Sequence, residues 1–187
     1  MKRLSNLMLL AAFTSTLFYA LSYPYIYAET VKVVPTFYIG LEQILYCIGT
    51  AVFCAIWNRH SDKLFRYYRI ILWGEMIADI ILFSVVLITG NLNVYFLMNI
   101  IIYALITRNL ACGGTKMRAR VNPSEKTREK FDNNNNVVTS VATLLGAGAA
   151  IIHPLPLNVM FVLALVGNCI DNVFYLYIYR KLLRKGK

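Results

Sequence analysis

Positive charge in this 187-residue chain is confined to a few short clusters, and the stretches between them are long and apolar. A helix crossing the ~30 Å hydrocarbon core needs roughly 20 mostly apolar residues. The clusters leave six such stretches, near residues 4–23, 36–57, 70–89, 93–115, 137–153 and 157–179. Lipid offers a backbone no hydrogen-bonding partner, so each stretch reads as a helix rather than an open strand. The expected fold class is therefore an all-α membrane protein, a single bundle of six transmembrane helices spanning 1–187. Composition agrees, with 58% hydrophobic residues, above the roughly 45–50% of soluble domains.

The clusters also set an orientation. Lys2 and Arg3 precede the first stretch, and Arg59, Lys63, Arg66 and Arg69 follow the second. Lys116, Arg118, Arg120, Lys126, Arg128 and Lys130 lie between the fourth and fifth, and Arg180, Lys181, Arg184, Lys185 and Lys187 follow the sixth. Six crossings put all four clusters on one side, leaving Lys32 on the other and Arg108 within a span. By the positive-inside rule that side, with both termini, is cytoplasmic. Helix orientation thus accounts for the net charge of +10, and nucleic-acid binding is not needed to explain it. "MKR" and "ALS" (20–22) could frame a signal peptide, but the apolar run is longer than a usual h-region, so it is read as a retained span.

Enzymatic chemistry finds little support. Cys47, Cys54, Cys112 and Cys169 show no CxxC spacing, and His60 and His153 fall on opposite sides of the membrane, so no metal or disulfide framework is expected. No nucleotide-binding glycine loop or Ser/His/Asp set can be assembled, and no catalytic residue or cofactor is assigned. The one sizeable polar segment is the cytoplasmic loop 116–136, broken at Asn122 and Pro123. There "SEKTREKF" is expected to form a short surface helix and "DNNNN" (132–136) to cap the fifth span. The outer links "GNLN" (90–93) and "HPLP" (153–156) read as turns, with Pro154 and Pro156 able to end a helix. Ala142, Gly146 and Ala150 line one face of the fifth span, where small residues let another helix approach; packing within the bundle is expected over a subunit interface. Tyr19, Tyr23, Tyr25 and Tyr27, with Tyr175, Tyr177 and Tyr179, fit interfacial anchoring.

The informative residues are charges the membrane should exclude. At a 1.5 Å rise per residue, Glu75 lies roughly 9 Å and Asp79 about 15 Å in from Arg69. Arg108 is about 12 Å in from Lys116, and Asp171 about 14 Å in from Arg180. Three acids and one base thus share a layer in the cytoplasmic half. Each costs on the order of 3 kcal/mol on insertion scales, so they are expected to face the bundle interior or a wet cavity. Glu75 and Asp79, four apart, share a helix face and repel each other unless something neutralises them. The layer reads either as an ion pair fixing helix packing or as a proton or cation relay, with Glu75, Asp79, Arg108 and Asp171 as its members. Glu42 stands apart near the outer boundary.

The cluster "NRHSDKLFRYYR" (58–69) resembles the motif G-x-L-a-D-r-x-G-r-r that joins the second and third helices of the major facilitator superfamily. Asp62 matches the acid, Lys63 and Arg66 the bases, and Asn58 and Phe65 stand where the family has glycines. "LITRNLACGG" (105–114) looks like the fourth-helix motif with its arginine at Arg108. "NPSEKTREKFDNNNNVVTSVATLLGAG" (122–148) resembles the approach to helix five in drug-efflux members. The resemblance covers nearly the whole chain but half of a twelve-helix transporter. It implies a gating clasp at Asp62, Lys63 and Arg66 and a secondary transporter or exporter of small, amphipathic or cationic molecules. Because the two halves of that family are related by an axis along the membrane normal, it also implies pairing, as a parallel homodimer or with a second half-transporter. Two other readings stand beside it: a non-transporting interaction protein such as an immunity or regulatory factor, and a substrate-binding subunit of a vitamin-type importer.

Overall fold

The computed structural model describes residues 2–102, 106–153 and 155–185, apart from the side chains of Arg108 and Lys185. Among these residues there are seven helices and no strand: α1 (Lys2–Val33), α2 (Thr36–Arg66), α3 (Tyr68–Thr89), α4 (Leu92–Ile102), α5 (Arg108–Val121), α6 (Glu125–Ile152) and α7 (Leu157–Lys185). Five of them, α1, α2, α3, α6 and α7, are long and apolar enough to cross a membrane. The fourth expected span, 93–115, is represented by α4 and the first half of α5. Pro154 and Lys187 lie outside the described residues.

The helices run well past the expected spans, and two polar segments are helical where loops were expected. α2 continues to Arg66, through most of the charged cluster, with non-helical dihedrals at His60 (φ −129°, ψ 24°). Tyr67 alone separates α2 from α3. The Asn run does not cap the fifth span; it lies inside α6, whose N-cap is Ser124, its hydroxyl accepting from the Thr127 N–H at 3.3 Å. Pro123 cannot continue a preceding helix, so the start is fixed there. Phe131 is buried and sits under the Arg118 guanidinium at 5.7 Å, which anchors the first turns. Extending a nucleated helix through Asn costs under about 0.7 kcal/mol per residue, less than starting a new one.

The chain packs as two compact units, one formed by residues 1–25 and 117–187, the other by 26–116. In the first, α1 meets α6 and α7 at glycines. A Cβ on Gly146 would meet the Leu17 carbonyl at 2.6 Å and the Ala20 Cβ at 3.0 Å; one on Gly167 would meet the Phe18 Cβ at 2.5 Å. Ala142 and Ala150, on the same face as Gly146, are buried, and Tyr25 donates its hydroxyl to the Ala150 carbonyl at 2.7 Å. The small-residue face of α6 is thus used for internal packing. Contacts at Ala20 with Gly146 and at Tyr25 with Ala150 make α1 and α6 parallel. Contacts of Phe18 with Gly167 and of Ser15 with Asp171 make α7 antiparallel to α1.

In the second unit, Val34, Phe96 and Ile100 form a core against Tyr38, Ile39 and Leu45. The α4–α5 segment runs down α3 in the opposite direction: Tyr95 packs on Phe83 with ring centroids 6.0 Å apart, Thr107 bonds Glu75, and Tyr68 covers Gly113.

Gly146→Ala should therefore force α1 and α6 apart and lower stability by roughly 1–3 kcal/mol. Gly148→Ala, where a Cβ meets nothing within 4 Å, should be neutral or slightly stabilising. Thermal denaturation of both variants in detergent checks the contrast, and equal melting points would contradict it.

Candidate functional site

The charged cluster at the end of α2 is built around aromatic rings rather than glycines. Phe65 is buried and stacks on Tyr68 (5.8 Å, 13°), and Trp57 meets Tyr68 edge-on (6.2 Å, 89°). The Tyr68 ring packs against α5 at Gly113, where a Cβ would overlap it. Three polar tethers complete the seat. Tyr68 donates its hydroxyl to the Leu110 carbonyl (3.0 Å), and the Trp57 indole N–H donates to Asn109 Oδ1 (2.5 Å). Lys116 Nζ pairs with Asp62 Oδ1 (3.3 Å) and donates to Ser61 (3.1 Å). The Asp62 side chain is 75% exposed, so this ion pair contributes at most about 1 kcal/mol. Lys63 and Arg66 are exposed.

Deeper along α3, Glu75 and Asp79 are both buried, each 7% exposed, on one face. The Thr107 hydroxyl donates to Glu75 Oε1 at 3.3 Å. Ile106 and Thr107 form a π-helical turn immediately before α5, the kind of local widening that is frequent at functional sites. Arg108 opens α5 one residue later, and its side chain lies outside the described structure. The depths estimated from sequence put Glu75 and Arg108 at one level, and the Thr107 bond joins that level to α3. Glu42 is buried in the same unit.

Asp171 belongs to the other unit. Its Oδ1 and that of Asn172 are buried without a hydrogen-bond partner among the described residues. The Ser15 hydroxyl approaches the Asp171 carboxylate, and the charges of Asp171 and of Arg118 both act on Tyr175. Arg118 pairs in turn with Asp132 at 3.3 Å. Glu75 and Asp79 thus belong to one unit, with Thr107 bonded to Glu75, and Asp171 belongs to the other, beside Ser15. Sequence reasoning missed Thr107, Asn109, Ser15 and Asn172. Each is a short polar side chain in an apolar stretch, and these are the groups that hydrogen-bond between membrane helices.

Among the described residues no cluster of His, Cys, Asp and Glu could hold a metal ion. No family model matches the chain, and no match was found among the curated proteins or the solved structures.

The seat of α5 also brings Cys54 and Cys112 together, with Sγ atoms 3.8 Å apart. A disulfide needs about 2.05 Å, within reach of a small side-chain rotation. Copper–phenanthroline oxidation should link these two cysteines within one chain, removing two hydrogens in intact-mass spectra, and Cys54→Ser should abolish the link. A link through Cys47 or Cys169 instead would mean that α2 and α5 are placed differently.

Proposed function

We propose that this chain is a six-helix half of a facilitator-type secondary transporter, an exporter of small amphipathic or cationic molecules coupled to protons and working as a pair of bundles. The observation that carries the proposal is the burial of Glu75 and Asp79 one turn apart on α3, with Thr107 at the head of α5 bonded to Glu75. Acids one turn apart on one helix face repel each other unless something neutralises them, and each bears on the order of 3 kcal/mol at such depth. A proton taken up or released at such a pair changes the charge held inside the bundle, which is the elementary event that coupling requires.

Helix directions support six crossings with both termini at the positively charged, cytoplasmic face. Since α1 and α6 run the same way, an odd number of crossings lies between them. α2 and α3 supply two, and the α4–α5 segment, antiparallel to α3, supplies the third. α7 then returns to the side from which α1 began. The second bundle is best supplied by another copy in the same orientation, since facilitator halves are related by an axis along the membrane normal. In that pairing Asp62, Lys63 and Arg66 act as the clasp between bundles, Asp62 exchanging its exposed Lys116 contact for one across the pair.

Proteoliposomes with an imposed pH gradient and ethidium as probe test the reading. Ethidium should dissipate the gradient in the wild type. Asp79→Asn and Glu75→Gln should slow this at least tenfold, and native mass spectrometry in nanodiscs should show two copies. Unchanged rates in both variants with a single copy would favour the interaction protein. Copurifying ATPase subunits would favour the importer subunit.

A further inference from the structure

Within the first unit, residues of α1 and α7 line a groove of about 490 Å³. That lies within the roughly 300–1,000 Å³ range of small-molecule sites. Its walls are Leu7 from α1 and Cys169, Ile170, Val173 and Phe174 from α7, all without formal charge. From Cys169 to Tyr177 it follows α7 for eight residues, roughly 12 Å. Among the described residues that line it, Arg3 alone is charged, at the mouth, where Tyr177 also lies. Lys181 stands over the Tyr177 ring, its Nζ 5.4 Å from the centroid. The groove opens outward, since Val173 is 57% and Tyr177 41% exposed.

We propose that this groove binds one anionic phospholipid, an acyl chain lying along Val173 and Ile170 and the phosphate held between Arg3 and Lys181. Three features select this occupant. An uncharged wall of this length suits a hydrocarbon chain, and it ends in a guanidinium, whose planar donors match a phosphate. The mouth is at the positive end of the unit: α1 and α7 are antiparallel, so Lys2 and Arg3 lie level with Arg180, Lys181 and Arg184. Among the described residues no carboxylate lines it, and Asp132, at the start of the parallel helix α6, is already paired with Arg118. Basic pockets between membrane helices at the cytoplasmic side are the usual receptors for anionic headgroups. The site makes no use of Glu75, Asp79 or the clasp, so it stands whether or not the chain transports.

The test is lipid retention by native mass spectrometry of full-length protein released from nanodiscs of equal parts phosphatidylglycerol and phosphatidylcholine. Wild type should keep one phosphatidylglycerol per chain, at least fivefold over phosphatidylcholine. Arg3→Glu, a reversal at an exposed position in the first turn of α1, should abolish that preference without disturbing the fold. Val173→Trp should remove the bound lipid by filling the groove, while Leu144→Trp, on another exposed apolar face, should leave it in place. A phosphatidylglycerol with a photoactivatable acyl chain should label peptides containing Leu7 and residues 169–174. Equal retention of the two lipids, labelling confined to other helices, or a dimer that Val173→Trp dissociates would each overturn the proposal, the last by assigning the groove to a second copy of the chain.

Discussion

A polar group inside hydrocarbon has no partner except another part of the same protein, and most of this structure follows from that restriction. Hydroxyls in the apolar stretches turn back on their own helices. Ser22 donates to the Phe18 carbonyl, Thr30 to Ile26, Thr50 to Tyr46 and Thr89 to Val85, each one turn earlier. Larger donors reach further and fasten one helix to another, as Tyr25 does to Ala150 and Tyr68 to Leu110. Interhelical bonds of this kind contribute about 0.6 kcal/mol on average, so they guide the packing more than they drive it.

What drives it is close approach at glycines, and the two units use it differently. In the first, α1 lies against the backbone of α6 at Gly146, and Gly167 of α7 makes room for the Phe18 side chain. In the second, a glycine on α5 makes room for a large ring: Gly113 receives Tyr68, which carries Phe65 and Trp57 with it. The first arrangement maximises contact along helices that have no hydrophobic drive to associate within lipid. The second locks the α2–α3 joint to α5 with aromatic area. Phe65 and Tyr68 lie within one helical turn of the break at Tyr67, so this joint is held by stacked rings.

Helix positions were legible because length and charge spacing report directly on bilayer thickness. The four clusters marked where helices emerge from the apolar layer, and Ala142, Gly146 and Ala150 announced a packing face through their period. Helix ends were not legible. Charge marks the membrane boundary, but a helix stops only where its backbone is capped or broken, and here those signals are Ser124 and Pro123, well outside the apolar stretch. The candidate site was half legible. Glu75, Asp79 and Asp171 stand out because a charge in an apolar run is conspicuous. Thr107 and Ser15 do not, since a hydroxyl in a helix usually bonds its own backbone, and their tertiary roles emerge only when helices are placed side by side. Depth along the membrane normal carries no information about packing partners, so it gave no sign that Glu75 and Asp79 fall in one compact unit and Asp171 in the other.

The contrast between the buried acids and Asp62 bears on how such a bundle could move. Trp57, Phe65 and Tyr68 are almost wholly buried and fix the end of α2 on α5 by themselves, with two hydrogen bonds to spare. The Lys116–Asp62 pair adds little to that attachment, because its acid is mostly in solvent and its charges are screened. A contact that contributes little where it is can be exchanged at little cost for a similar contact elsewhere. Glu75 and Asp79 are in the opposite position: they are buried, so a change in the charge they carry weighs far more there than it would at the surface. In the proposed pair of bundles the deep acids therefore supply the energetic difference between states, and the exposed clasp supplies the contact that can switch.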